Sequence, residues 1–536
     1  MNIKKLINIC VALLLLFGCG RRENPNEGLS IFRYNEASGI LTLDPIYAKD
    51  LPHIWACNQL YSSLVAFDEE MNVVPRLARS WDISDDGKTY TFHLRDDVLF
   101  HADTSMPVRR VLTASDVCYS FNRVMDQSLN SPGTWIFSSV AKEGDQYAFR
   151  ALDDTTFQVE LAQPYPAFLG ILSMTYASVV PHEAVEYYGD EFRRHPVGTG
   201  PFRFQYWKEN VKLVLRKNPD YFETDGAGER LPYLDAVAIS FLIDKQVAFL
   251  EFIKGKFDFM SGIDARYKDE LLTYDGHLRK KYEDKIELLT GPYLNTEYMA
   301  FFIDPNDTLG STRSRALRQA VSLSVDREKM LRYLRNGIGY PGTGGMIPSG
   351  LPGHNDTIGY GYDFKRAQQL IKEHHLENYP LHLSTTADYA DIGKFVQSQV
   401  EQVGLQCKME VIPPATLRSM KANGSLPFFR SSWVADYPDA ENYLSLFTTS
   451  NFCPEGPNYT HYSNPQYDRL YKQAMACTDP DQRAALYEEM DRLMMADAPV
   501  VVLFYDEVLR FVNQRITGME SNPTNLLDLR KVSFSD

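Results

Sequence analysis

Signatures of catalysis and of metal binding are missing from this 536-residue chain. It contains no Gly-x-Ser-x-Gly, no His-Glu-x-x-His and no EF-hand loop, so the common nucleophile, zinc-hydrolase and calcium geometries find no support. Cysteine is scarce, at seven residues without a Cys-x-x-Cys pair, which speaks against a structural zinc site. Positive charge is also short: 55 Lys plus Arg face 70 Asp plus Glu, a net of −15. Phosphate backbones repel such a surface, so nucleic acid is not an expected partner. No apolar run reaches 18 residues, and about 20 are needed to cross a bilayer as a helix.

Two weak motifs dissolve on inspection. Gly337-Ile-Gly339-Tyr-Pro-Gly342 fits Gly-x-Gly-x-x-Gly but follows a helical pattern, and Pro341 bars a helix from starting there; it reads as a turn. His374-His375 closes a helical pattern from Asp363. Adjacent helical residues point apart, so the pair suits the negative end of the helix better than a metal.

Aromatic and apolar residues are plentiful. Apolar residues make up 44% and charged residues 23%, with 30 Phe, 32 Tyr and 5 Trp. That composition excludes disorder and collagen, and the length predicts about two to four domains. Tyr90–Arg95, Phe157–Leu161 and Val211–Arg216 alternate as strands, and Ser84-Asp-Asp-Gly87 supplies a hairpin turn. Ser314 to Leu334, Ile392 to Val403 and Gln482 to Ala496 carry helical spacing. Gly198-Thr-Gly200-Pro201 reads as a tight turn. Strands and helices intermix, giving an α/β or α+β chain with too many segments for one sheet.

The N-terminus reads as an export signal. Lys4 and Lys5 precede the thirteen-residue apolar stretch Leu6 to Gly18, broken only by Asn8. The ending Leu16-Phe17-Gly18-Cys19 resembles the bacterial lipobox, which implies cleavage after residue 18 and lipidation of Cys19. Two Lys leave with residues 1–18, taking the net charge from −15 to −17. Residues 19–28 form a polar tether. Of the five remaining cysteines, Cys453 and Cys477 flank one segment and could pair in an oxidising compartment.

From residue 40 onward, ordered blocks resemble the extracytoplasmic solute-binding proteins of ABC importers, family 5, which include the oligopeptide and dipeptide binders. They are Leu43-Asp44-Pro45, Leu60-Tyr61-Ser-Ser-Leu64-Val65, Val74-Pro75-Arg-Leu-Ala78-Arg-Ser80-Trp81, Ser84 to Arg95, Pro196-Val-Gly198-Thr-Gly200-Pro201-Phe202, Arg216-Lys-Asn218-Pro219-Asp220-Tyr221, Arg318 to Arg327, and Trp433-Val-Ala-Asp436-Tyr437-Pro438-Asp439. One departure is visible: Thr104 to Leu112 are extra residues between Phe100-His101-Ala-Asp103 and Thr113-Ala-Ser-Asp116-Val117, a loop expected away from the cleft.

The resemblance implies a periplasmic-binding-protein type II-like fold of two lobes on a hinge, in three domains. Domain I would combine 29–61, 186–288 and 506–536, domain II would be 62–185 and domain III 289–505. It implies a lipid-anchored, monomeric binding protein that captures short peptides and delivers them to the transmembrane subunits of an ABC permease, with no cofactor and no reaction catalysed. Asp436 would accept from the ligand ammonium and Trp433 would pack on a ligand side chain. Arg430 would meet the ligand carboxylate, while Tyr298 and Trp135 would line the cleft from opposite lobes. Alternatives are the same family with a metal chelate, haem, glutathione or an oligosaccharide as cargo, and a secreted hydrolase.

Overall fold

The computed structural model describes residues 28–262, 267–303, 312 and 314–535. The expected signal segment 1–18 and Cys19 lie outside the described residues. Among the described residues an eleven-stranded mixed sheet forms the frame. Ten strands follow one path: Phe202–Lys208, Lys212–Lys217, Ala236–Ser240, Ile31–Asn35, Phe259–Ser261, Val500–Asn513, Ile286–Phe301, Phe428–Val434, Pro380–Thr385 and Gln406–Val411. Tyr340–Pro341 pairs alongside Val500–Asn513. A separate four-stranded antiparallel sheet runs Ala78–Ile83, Thr89–Leu94, Thr156–Glu160, Phe149–Asp153.

The expected hairpin forms as its turn residues dictate. Gly87 takes φ +68°, open to glycine at no steric cost, and Ser84 Oγ accepts from the Thr89 amide at 2.9 Å. The long strands show the period of two in their burial. Tyr298, Ala300, Val500 and Val502 face a core with the helices Pro465–Ala476 and Pro480–Asp497. Met299, Phe301, Val501 and Leu503 face a second core with Arg315–Ser324, Phe364–Glu373 and Ala390–Gln402. The sheet is thus covered on both faces, and its buried strands need no polar side.

Four local expectations are corrected. The stretch Ser314 to Leu334 is two helices, Arg315–Ser324 and Arg327–Leu334, because the Asp326 carboxylate caps the second by accepting from the Lys329 amide at 3.0 Å. Gly198 and Gly200 do not hold positive φ. They are required because a Cβ at either would collide with the backbone at the end of the helix Leu51–Leu60. Cys453 and Cys477 are free: the Cys453 thiol lies 3.3 Å from His461 Nε2, and that of Cys477 donates to the Asp479 carbonyl at 3.4 Å. The helix ahead of His374-His375 ends at Glu373, so both imidazoles lie past it.

One buried acid makes a testable contribution to stability. Asp491 is fully buried in the helix Pro480–Asp497 and accepts from the amides of Met346 at 2.9 Å and Ile347 at 3.2 Å. Burial pushes its carboxyl up to about 6, against the pull of those two amides. The folded chain therefore holds this proton more tightly than the unfolded one. The resulting stabilisation is complete below the unfolded value of about 4 and is lost as pH rises through about 6. In urea unfolding, wild type should gain on Asp491→Asn by up to about 3 kcal/mol between pH 7 and pH 4.

Candidate functional site

The strand Phe428–Val434 runs antiparallel to Ile286–Phe301, with Trp433 opposite Thr296, Ser431 opposite Tyr298 and Arg430 opposite Met299. Opposed residues share a face and successive residues alternate. Trp433, Ser431 and Tyr298 therefore share one face, and Arg430 and Glu297 occupy the other.

On the first face Trp433 is half-buried, and Asp436 lies two residues beyond the strand end, open to water. Asn442 joins them: its Oδ1 accepts from Trp433 Nε1 at 2.7 Å and from the Asp436 amide at 3.2 Å. Walls crowd the Asp436 carboxylate without closing over it. Their partial desolvation raises its pKa, and the neighbouring Asn442 side chain opposes the shift. An anion held partly desolvated yet open to water is suited to a cationic guest.

The opposing wall comes from another part of the chain. Burial pushes the Tyr176 hydroxyl up to about 12, and the nearby charges of Asp436 and Asp50 add to it. Trp135 lies with its ring centroid 6.0 Å from that of Tyr437. Tyr165 Oη is 2.9 Å from Tyr437 Oη and donates to Glu441 at 3.3 Å. The same Glu441 carboxylate accepts from Tyr437 and Tyr471. Beside Trp135 lies an open hollow of about 510 Å³ lined also by Met125, Ser138, Val140, Lys142 and Tyr147.

The second face is a closed ion pair. Arg430 Nε and Nη2 both donate to the Glu297 carboxylate, and its guanidinium carbon lies 3.3 Å from the centre of the Tyr389 ring. The two side chains are 12% and 2% exposed. Burial raises the Glu297 carboxyl and the Arg430 charge opposes this, while Glu297 in turn holds Arg430 cationic. Tyr298 is 5% exposed and lies inside the core. Ser431, opposite it on the neighbouring strand, accepts from Lys421 Nζ at 3.0 Å.

The fold thus gathers Trp433, Asp436 and, through Tyr437, Trp135. It leaves Arg430 across the sheet and Tyr298 in the core. Asn442, Glu441, Tyr165 and Tyr176 escaped the sequence reading. The available signal was a polar Glu441-Asn442 pair set among Ala440, Tyr443 and Leu444, as a buried polar pair would be.

Among the described residues one group, Asp116, His182 and Glu183, brings potential metal ligands together. Arg110, from the extra loop, donates to both of its carboxylates, so the cation there is the guanidinium. No helix of the described residues is long and apolar enough to cross a membrane.

Comparison with known proteins places this geometry. The profile of the bacterial extracellular solute-binding proteins, family 5 Middle, matches residues 72–452. The glutathione-binding protein GsiB of Escherichia coli K12 is 26% identical over 497 residues, 90% of each chain. The dipeptide-binding protein of the same strain is 25% identical over 501 residues, 89% of each chain. Among solved structures, HbpA2 of Haemophilus parasuis superposes with a TM-score of 0.83 at 22% identity, covering 94% of this chain and 100% of its own. The ABC transporter-associated periplasmic binding protein DppA of Helicobacter pylori, in complex with the peptide STSA, does so at 0.75 and 25% identity, covering 94% and 98%. Mixed α/β and shaped like these type II-like binding proteins, the chain belongs to the bacterial extracellular solute-binding proteins, family 5.

Proposed function

We propose that this protein is the lipid-anchored substrate-binding component of an ABC importer and captures short peptides by their N-terminal ammonium. Asp436 carries the reading: a water-accessible, partly desolvated carboxylate between an indole and a second wall of aromatics. A buried ammonium needs a paired anion, because burying it alone costs several kcal/mol. Trp433 and Trp135 supply apolar area for side chains of many kinds. The carboxylate end of the peptide draws little from Arg430, whose charge Glu297 already balances.

Domain II, 62–185, carries Trp135, Tyr165 and Tyr176, and domain III, 289–505, carries Trp433 and Asp436. Domain I takes 29–61, 186–288 and 506–536. Ile286–Phe301 and Val500–Asn513 run from domain I into domain III, and their register slips between Pro292 and Thr296, a natural place for a hinge. Closure brings the lobes onto the ligand, and the closed form is presented to the permease. The relative named for glutathione favours a second reading, since that cargo also carries an ammonium and would use the same anchor.

Calorimetry with tetra-alanine as the free peptide, its N-acetyl form and its C-terminal amide tests the proposal. Acetylation should lower affinity by about 2 kcal/mol or more, and amidation by under about 1 kcal/mol. Equal binding of free and acetylated peptide would overturn the reading.

A further inference from the structure

We propose that Asn442 is the positioning residue of the ammonium site, holding Trp433 and Asp436 in one fixed relation. The inference rests on Asp436 being the ammonium anchor. The last ladder bond on this edge is from the Ala435 amide to the Leu294 carbonyl, at 2.8 Å. Beyond it the chain leaves the sheet, and the Asp436 amide would have no strand partner. Asn442 Oδ1 supplies one at 3.2 Å, and the same oxygen fixes the Trp433 indole at 2.7 Å. One side-chain oxygen thus holds both the backbone of the anchor and the ring of its aromatic neighbour.

Asn442 is itself fixed. It is 5% exposed and belongs to the short helix Glu441–Leu444. Asp439 starts that helix, accepting from the Glu441 amide at 2.9 Å with its carboxylate and from the Asn442 amide at 3.1 Å with its carbonyl. The Tyr443 hydroxyl donates at 2.7 Å to the Leu294 carbonyl that ends the ladder. Leucine keeps the volume and loses the acceptor; aspartate keeps it.

The test compares wild type, Asn442→Leu and Asn442→Asp in full-length protein, by calorimetry with tetra-alanine and, by competition, its N-acetyl form. Asn442→Leu should weaken the free peptide about 10- to 100-fold and the acetylated peptide much less, so the preference for a free amine shrinks. Asn442→Asp, which keeps the acceptor bonds to Trp433 and to the Asp436 amide, should retain that preference, so the role stays open to refutation even if the Leu variant fails to fold. Equal losses for both peptides in Asn442→Leu, or loss of the preference in Asn442→Asp, would refute the positioning role. A wild type without preference would instead refute the reading of Asp436, so the two failures are distinguishable.

Discussion

Asp436→Asn should cost about 2 to 5 kcal/mol of affinity for a peptide with a free N-terminus, read by calorimetry, while leaving the melting temperature nearly unchanged. The change removes a charge and little volume. Asp436 is open to water and lies beyond the end of its strand, so neutralising it should change stability little. Binding does: closure of the cleft strips water from the ammonium, and a neutral amide returns only part of what the carboxylate supplied. The acetylated peptide, which brings no charge, should bind wild type and variant within about 1 kcal/mol of each other. Unchanged affinity for the free peptide would remove Asp436 from the site.

The largest effect on stability is expected from Glu297→Ala, at about 3 to 5 kcal/mol in urea unfolding. Glu297 is 2% exposed in its side chain and is the ion-pair partner of Arg430, which is only 12% exposed. Truncation strands a buried guanidinium against the Tyr389 ring. Replacing both partners together, as Glu297→Met with Arg430→Met, should recover much of the loss, because apolar side chains of similar volume need no partner. A single truncation costing under about 1 kcal/mol would mean that water reaches the pair. Preference for a free amine should survive the double replacement, since the pair lies on the opposite face from Trp433.

What could be read from the sequence was local or ordered along it. The hairpin at Ser84–Gly87 and the helices near 392–403 and 482–496 depend on turn chemistry and periodicity, and they form within two residues of where those signals place them. The break at Val325-Asp326 was hidden because the apolar spacing continues across it, and only the capping carboxylate stops the first helix and starts the second. Gly198 and Gly200 looked like turn residues, but the reason for them is a helix end distant in sequence. The parity of the strand already sets Arg430 against Trp433. Its partner Glu297, however, lies more than 130 residues away, and no local pattern links the two. The Glu441-Asn442 pair is polar among apolar neighbours, but which groups it bonds is set only when the fold closes.

The central claim is that the cleft holds peptides, and mass spectrometry of the small molecules released when the purified protein is denatured tests it most directly. The account predicts a family of short peptides with unmodified N-termini and no common sequence. A single non-peptide species, such as a sugar or a metal chelate without a free ammonium, would contradict it.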